Sequence, residues 1–192
     1  MGRLDGRVAL ITGASRGFGR AIALAFAHEG ADVAVNYRTN ATGAAEVAAV
    51  VQKLGRRALV VEADVASEDE VRELVAATLS RFGRLDILVN NAGIMERGLF
   101  ADVPVSAYAR MFATNVTGTM LCTRAALPAM MERRYGRIVN RSSRAPAWEP
   151  AASPPMRRPR ARSKRSRGRW PTRSASTGSR STPSLRGASI PT

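Results

Sequence analysis

The feature that most constrains the fold is a glycine-rich segment, residues 12–19, which reads TGASRGFG and lies between two different patterns. Residues 8–12 form a short, continuous apolar run, which is typical of a strand buried in a parallel sheet. Residues 20–28 then repeat apolar side chains at helical spacing. Glycines between a strand and a helix let the backbone turn tightly and bring its N–H groups close to an anion at the helix N-terminus. The segment therefore predicts a strand, a phosphate-binding loop and a helix.

The alternation of strand and helix continues to residue 140. Apolar runs predict further strands, and helical spacing predicts helices between them, the third of which begins at Ser67 with Glu70 completing a capping box. This order predicts a Rossmann-like, doubly wound α/β fold with a parallel sheet and right-handed crossovers. The predicted strands after the first are 32–36, 57–62, 85–89 and 136–140, and the predicted helices after the first are 43–54, 67–82 and segments within 105–131.

The pattern stops after Ser143, and the composition changes with it. Residues 144–192 hold twelve of the chain's 30 Lys and Arg but one of its 15 acidic residues, Glu149. The net charge of +15 therefore belongs mainly to this segment, which also contains eight of the ten prolines. Such a composition buries too little apolar surface to offset the entropy of ordering. We predict a dinucleotide-binding domain over residues 1–143, truncated after the fifth strand, and a basic, disordered tail over residues 144–192.

Membrane and redox signals are weak. No apolar stretch reaches the roughly 18 residues of a membrane span, and the N-terminus lacks the layout of a signal peptide. We therefore expect a cytoplasmic protein with no membrane partner. The single cysteine, Cys122, excludes an internal disulfide, and its apolar helical surroundings predict a small buried side chain. No metal site is predicted.

Polar and small residues follow the predicted strands at the edge where parallel sheets bind ligands. Asp64 ends the third strand, where its carboxylate can accept a hydrogen bond from an adenine amino group or serve only as a helix cap. Asn115 lies in a helical region, where asparagine is a poor helix former and needs a reason. The predicted nucleotide-binding residues are Gly13, Ser15, Arg16, Gly17, Phe18, Gly19, Arg38, Asp64, Val65, Asn91, Ala92 and Gly93.

The end of the second strand indicates which dinucleotide would bind. An acidic residue there would accept hydrogen bonds from the adenosine ribose and favour NAD. Tyr37 occupies that place instead, and Arg38 follows it. An arginine supplies a forked donor for a 2′-phosphate, and Arg16 could supply a second. NADP(H) is therefore favoured over NAD(H), although Arg38 could also be an ordinary solvated loop residue.

In this order and spacing the motifs resemble the short-chain dehydrogenase/reductase (SDR) family, over residues 4–143. The resemblance implies an oxidoreductase that moves hydride between the nicotinamide of NADP(H) and a small-molecule carbonyl or alcohol, usually as a homo-oligomer. It implies that Asn115 holds a water in the proton relay and that Ser143 orients the substrate carbonyl. The family then requires a catalytic Tyr-x-x-x-Lys. Met156 and Arg160 stand at those places here.

The amino acids of the tail are compatible with a gene that encodes the missing pair one nucleotide out of register. The stretch from Pro155 to Arg160, written CCT ATG CGG CGT CCA AGG, contains TAT GCG GCG TCC AAG, which encodes Tyr-Ala-Ala-Ser-Lys. With a suitable choice of synonymous codons, residues 180–187 can be shifted the same way into Val-Asn-Ala-Val-Ala-Pro-Gly, a phrase that the family carries after its sixth strand. We therefore predict a frameshift, or a sequencing slip of the same kind, around residues 141–146.

Three functions stay open on the sequence. The first is an oxidoreductase by descent that is inactive in this form, and the second is a non-catalytic nucleotide-binding remnant with a basic tail. The third is a nucleic-acid-binding protein, since Arg-rich segments bind phosphates. Out-of-frame reading of a GC-rich gene yields Arg, Pro and Ser without selection, so nucleic-acid binding by the tail would be adventitious. Loss of the later strands also predicts an exposed fifth strand and a compromised oligomer.

Overall fold

Five parallel strands form a sheet with helices on both faces in the computed structural model, which describes residues 2–99 and 101–142. Ser143 and the predicted tail lie outside the described residues. In chain order the elements are β1 Val8–Ile11, α1 Gly17–His28, β2 Asp32–Tyr37, α2 Ala41–Lys53, β3 Ala58–Glu62, α3 Glu68–Phe82, β4 Ile87–Asn90, α4 Val105–Phe112, a π-helical turn Ala113–Thr117, α5 Gly118–Glu132 and β5 Arg137–Asn140.

The strand order is β3-β2-β1-β4-β5, with every neighbouring pair parallel. After β1 the chain builds outwards through β2 and β3, and it then crosses back to place β4 on the other side of β1. The order therefore reverses between β1 and β4, which is the switch point of a doubly wound sheet. The predicted Rossmann-like α/β fold is confirmed.

The two faces of the sheet carry two separate cores. Side chains of a strand alternate between faces, so Val8 and Leu10 of β1 pack with α3 and α5, whereas Ala9 and Ile11 pack with α1 and α2. Every residue of β1 and β4 is buried. Burying one such large side chain stabilises the fold by about 1.5–3 kcal/mol. Continuous apolar strands are the expected consequence of a sheet covered on both faces.

The element boundaries differ from the predicted ones where the spacing of apolar residues gave no signal. The first helix begins at Gly17 rather than at residue 20, because its first turn is built from glycines and Phe18. The predicted helical region 105–131 is interrupted at Ala113–Thr117 by a π-helical turn. Helical spacing alone does not distinguish an α-turn from a wider π-turn.

The predicted capping box of α3 is half correct. Ser67 Oγ accepts a hydrogen bond from Glu70 N at 3.4 Å, as expected of an N-cap. The Glu70 carboxylate does not return to the Ser67 backbone, because Ser67 N donates to Asp64 O at 3.0 Å. Glu70 Oε2 instead accepts from Asp64 N at 2.8 Å. The glutamate thus fixes the loop that follows β3.

Cys122 is buried in α5, as predicted. Burial raises the pKa of its thiol to about 12, so the thiol stays protonated at neutral pH. Across the described residues, no helix is long and apolar enough to cross a membrane.

The strand β5 forms one edge of the described sheet. It pairs with β4, and no other described strand lies beside it. Three of its four residues are exposed, and the Val139 side chain is 47% accessible to solvent. A parallel edge strand with an accessible β-branched side chain is a poor terminus for a sheet of this class.

A buried carboxylate fastens β4 to β1 at the opposite end of the strands from the glycine-rich loop. Asp86 is fully buried; its Oδ2 accepts from Val8 N at 2.9 Å and from Arg84 Nε at 2.6 Å. Arg7 Nη1 lies 3.4 Å from Asp86 Oδ1. Burial alone would raise the pKa of Asp86, but hydrogen bonds from Arg84 and Val8 outweigh it and hold the pKa below its usual range.

We expect the substitution Asp86→Asn to lower the free energy of unfolding by about 3 kcal/mol, because it leaves two arginines beside a neutral group. A depressed carboxylate pKa contributes stability that is present above the unfolded pKa of about 3.9 and is lost as pH falls through the folded pKa. The wild-type free energy of unfolding should therefore decline below about pH 4 more steeply than that of D86N. Urea unfolding at several pH values measures both effects. The exposed Asp102→Asn is the matched control, and equal stability of D86N and D102N would contradict the assignment.

Candidate nucleotide-binding site

A cleft of about 220 Å³ opens at the carboxyl edge of the sheet, above the switch point between β1 and β4. Loops after β1, β2, β3, β4 and β5 and the π-helical turn contribute to it. All of the predicted nucleotide-binding residues except Gly17 line this cleft. Its lining residues are Gly13, Ser15, Arg16, Phe18, Gly19, Asn36, Arg38, Ala63, Asp64, Val65, Asn91, Ala92, Gly93, Ile94, Thr114 and Arg141.

A buried threonine joins the two loops at the floor of the cleft. Thr12 is 1% exposed, and its hydroxyl donates to Val89 O at 3.3 Å. The same oxygen accepts from Asn91 N and from Ala92 N, each at 3.0 Å. Asn91 Nδ2 completes the joint by donating to Thr12 O at 2.8 Å. The loop after β4 is therefore held against the loop after β1.

The loop after β1 has a shape that requires glycine at specific positions. Gly13 has φ +63° and Gly17 has φ +56°, a region that side chains disfavour. A Cβ on Gly19 would lie 2.3 Å from Gly13 O and 2.5 Å from Asn91 Nδ2. These contacts leave no room for a side chain, so the loop lies flat against the start of α1.

The helix α1 begins at this loop without a capping side chain. Its N-cap residue, Arg16, makes no capping hydrogen bond, and its first turn contains no acidic residue. By contrast, Asn40 caps α2 and Ser67 caps α3. The first N–H groups of a helix have no intrahelical partners, and they carry partial positive charge. An uncapped N-terminus that opens on a cleft favours an anion such as a pyrophosphate.

Asn36 is a residue of this site that the sequence analysis missed. It is 1% exposed near the end of β2, and its Oδ1 accepts from Gly13 N at 3.1 Å. Its Nδ2 donates to Ala63 O at 3.0 Å, which ties the glycine-rich loop to the loop after β3. An asparagine inside an otherwise apolar strand was the available signal, since buried polar groups need partners.

Arg38 and Asp64, both predicted to contact the nucleotide, form an ion pair with each other. Arg38 Nε lies 3.1 Å from Asp64 Oδ2, at a place where the Arg38 side chain is 60% exposed and that of Asp64 23%. Neither is a solitary loop residue. The pair spans the edge of the sheet between the ends of β2 and β3.

Asn115 lies in the π-helical turn, and its side chain fixes the loop after β4. Its Oδ1 accepts from Ile94 N and its Nδ2 donates to Ile94 O, both at 2.9 Å. A Cβ on Gly93 would lie 3.3 Å from Asn115 Oδ1, so glycine permits this close approach. The structure thus gives a reason for an asparagine in a helical segment. Such π-turns often occur at functional sites.

Arg141 was also missed, and no local pattern in the sequence could have indicated it. Its guanidinium lies over the Phe18 ring at 4.5 Å from the centroid, although Phe18 belongs to the first turn of α1 and Arg141 follows β5. This contact closes one side of the cleft with a cation–aromatic pair.

The remaining predicted catalytic residue, Ser143, lies outside the described residues, as do Met156 and Arg160. The tyrosines of the chain are Tyr37, Tyr108 and Tyr135. Burial and a hydrogen bond to Glu62 raise the pKa of Tyr37, which makes it a weaker acid than a free phenol. The Tyr135 ring lies beneath the Arg7 guanidinium, at 3.9 Å from its centroid. In the part of the chain that the structure describes, no group of three or more His, Cys, Asp or Glu side chains could hold a metal ion.

Comparison with known proteins places this architecture among its relatives. A family model described as short chain dehydrogenase matches residues 7–153. A 3-oxoacyl-[acyl-carrier-protein] reductase of Synechocystis is 43% identical over 143 residues, which cover 74% of this chain and 58% of the relative. An uncharacterized oxidoreductase of Methylorubrum extorquens is 44% identical, with 74% and 57% covered.

A solved structure is also similar to this chain. A Sinorhizobium meliloti protein, provisionally described as a short-chain alcohol dehydrogenase, superposes with a TM-score of 0.68 at 42% identity, covering 71% of this chain and 54% of that one. The chain therefore spans little more than half the length of the relatives that it matches.

We expect Thr12→Val to lower the free energy of unfolding by about 1–3 kcal/mol, because it leaves the half-buried N–H groups of Asn91 and Ala92 without their acceptor. Thr12→Ser keeps the hydroxyl and is the matched control, with a smaller loss that reflects only the missing methyl. Chemical denaturation of the three proteins measures the difference. A T12V protein as stable as T12S would show that this hydroxyl does not hold the two loops together.

Proposed function

The chain belongs to the short chain dehydrogenase family, and we propose that its first 143 residues are the nucleotide-binding half of an NADP(H)-dependent oxidoreductase. The observation that carries the proposal is the uncapped N-terminus of α1, which opens on the cleft at the switch point of the sheet. An anion bound there would meet free backbone N–H groups and the positive end of the helix dipole. The pyrophosphate of a dinucleotide is the anion that this family uses.

The residues of the cleft fit such a cofactor along its length. The glycine-rich loop would hold the pyrophosphate, and Asp64 and Val65 would border the adenine. Asn91, Ala92 and Gly93 would border the nicotinamide end, where the loop after β4 is fixed by Thr12 and Asn115. When bound, the cofactor supplies or accepts a hydride.

Preference for NADP(H) over NAD(H) rests on charge. Tyr37 ends β2 where an acidic residue would bind a ribose 2′-hydroxyl, and Arg38 follows it. Arg38 and Arg16 both line the cleft and can donate to a 2′-phosphate. A carboxylate at position 37 would repel that phosphate, and the chain has none there.

Catalysis by this family needs a general acid beside the substrate oxygen, and this chain lacks the residues for it. A family tyrosine has its pKa lowered by a neighbouring lysine, so that it can exchange a proton with the substrate. Met156 and Arg160 stand at those two places, and the lysines of the chain are Lys53 and Lys164. Ser143 could orient a carbonyl by hydrogen bonding, but a serine hydroxyl is too weak an acid to replace the tyrosine. The chain in this form would bind the cofactor and leave the carbonyl unreduced.

The second candidate is a nucleotide-binding remnant with no catalytic role. The same cleft favours it, because the loops that would bind the nucleotide precede residue 143. Activity decides between the two candidates. If a one-base change in the gene restores Tyr-x-x-x-Lys and activity, then the chain is an oxidoreductase interrupted by a frameshift.

The relatives suggest which substrate to try first. Several are called 3-oxoacyl-[acyl-carrier-protein] reductases, so a 3-oxoacyl thioester heads a panel of small ketones and alcohols. The described cleft is bordered by Ile94 and Thr114 on the side of Asn115, and these residues do not discriminate among such substrates.

We expect the purified chain to show no NADPH-dependent reduction of that panel, and the version with the reading frame restored to turn over readily. Losing a positioned general acid costs about 10²–10⁴-fold in rate. The measurement is the decrease of NADPH absorbance with each ketone. A restored protein whose new tyrosine is replaced by phenylalanine is the control, and it should be as inactive as the present chain. Comparable turnover by the present and restored chains would overturn the proposal, since an acid would then have to lie elsewhere.

A further inference from the structure

We propose that Asp64 sets the affinity of the cleft for a 2′-phosphate, because it competes with that phosphate for Arg38. This inference rests on the proposed function, since it concerns how the same cleft distinguishes two nucleotides. It assigns to Asp64 a role in specificity besides any contact with the adenine.

The carboxylate of Asp64 is held by a backbone hydrogen bond, whereas the Arg38 side chain is mostly exposed. Asp64 Oδ1 accepts from Ala66 N at 2.9 Å, and Asp64 N donates to Glu70 Oε2 at 2.8 Å. The other carboxylate oxygen, Oδ2, faces Arg38 Nε at 3.1 Å. The Arg38 side chain is 60% exposed. Asp64 therefore determines where the guanidinium of Arg38 rests in the absence of a nucleotide.

The register of the sheet makes this pairing a property of the fold. Tyr37 of β2 lies opposite Glu62 of β3 at the last position of the ladder. Arg38 and Asp64 follow at the same carboxyl edge, beyond the last hydrogen-bonded pair. A side chain that binds a phosphate at the end of β2 is thus placed beside a carboxylate at the end of β3.

Asp64 is also the one carboxylate among the described residues that line the cleft, whereas Arg16, Arg38 and Arg141 supply positive charge. A 2′-phosphate at Arg38 would lie close to the Asp64 charge and would be repelled by it. The guanidinium has five N–H donors, so it can bind a phosphate while one donor still faces Asp64. Competition is therefore partial, and removing the charge should strengthen phosphate binding without changing the binding mode.

The substitution Asp64→Asn tests this directly, because asparagine keeps an oxygen for Ala66 N and removes the charge. The probes are adenosine 2′,5′-bisphosphate and 5′-AMP, which differ only by the 2′-phosphate, and calorimetry on the full chain gives both dissociation constants. Exposed ion pairs have coupling energies that correspond to about two- to fivefold in affinity. We expect D64N to raise the affinity for the bisphosphate relative to 5′-AMP about two- to fivefold, because any change in the contact with the adenine affects both probes alike.

Two further variants distinguish an effect of the Arg38–Asp64 pair from a general effect of negative charge at this edge of the sheet. Glu62→Gln removes a carboxylate at the same edge that is exposed, bonds to Tyr37 and does not line the cleft; it should leave the affinity ratio of the two probes unchanged. In an Arg38→Gln background, D64N should no longer have its full effect, because the competition has been removed.

If D64N fails to fold, Arg38→Lys replaces it in the test. A lysine is a point charge that cannot bind Asp64 and a phosphate in a fork, so the preference for the bisphosphate should fall.

The outcomes distinguish this inference from the proposed function. If the wild type binds neither probe, both are overturned. If it binds both probes, and D64N leaves their affinity ratio unchanged or weakens both equally, Asp64 is only an adenine ligand or a structural residue, and this inference alone fails. If R38K folds and keeps the wild-type ratio, competition for the fork is likewise refuted.

Discussion

The pairing of β1 with β4 is the interaction on which the rest of the molecule depends. It creates the switch point of the sheet, and the cleft lies there because the chain continues from these two strands to helices on opposite faces of the sheet. Polar side chains join the two strands at both ends. Asp86 accepts from Val8 N at their amino ends, and Thr12 accepts from the backbone N–H groups of Asn91 and Ala92 at their carboxyl ends. Between them, every side chain of both strands is buried. The site is therefore held by the best-buried part of the sheet.

The residues proposed to bind the nucleotide and the positions of the family's catalytic pair lie in different parts of the chain. Among the described residues, those that line the cleft follow the strands in turn, and the last of them is Arg141, where β5 has just ended. The acid that the family uses comes later in its sequence, in the portion that reads here as a basic tail. A change of reading frame after β5 would therefore remove the family's catalytic pair while leaving the glycine-rich loop, Asn36 and the hydrogen bonds of Thr12 in place. The strand β5 is then an edge strand: within the described sheet it pairs on one side only, and its Val139 side chain is exposed.

The sequence predicted the fold and most of the cleft because both depend on local patterns. Buried parallel strands, helical spacing and the glycine-rich loop each leave a signal within a few residues, and parallel strands bring their carboxyl ends to one edge. The features that it could not predict are contacts between distant segments. Arg38 meets Asp64, Arg141 meets Phe18, and the Glu70 carboxylate accepts from Asp64 N rather than from Ser67 N. Each depends on strand order and register, which determine which loops become neighbours. The π-turn at Asn115 likewise reflects its contact with Ile94 rather than any helical propensity.

Amide hydrogen exchange, measured on the purified chain with and without saturating NADPH, tests the central claim most directly. The claim is that the nucleotide-binding half remains intact in a chain that has lost its acid. It predicts slower exchange on NADPH addition at the amides of residues 13–19, where α1 begins, and of residues 91–94, with little change in α2. Unchanged exchange in both segments, at concentrations of NADPH that saturate related reductases, would contradict it and show that the cleft does not bind the cofactor.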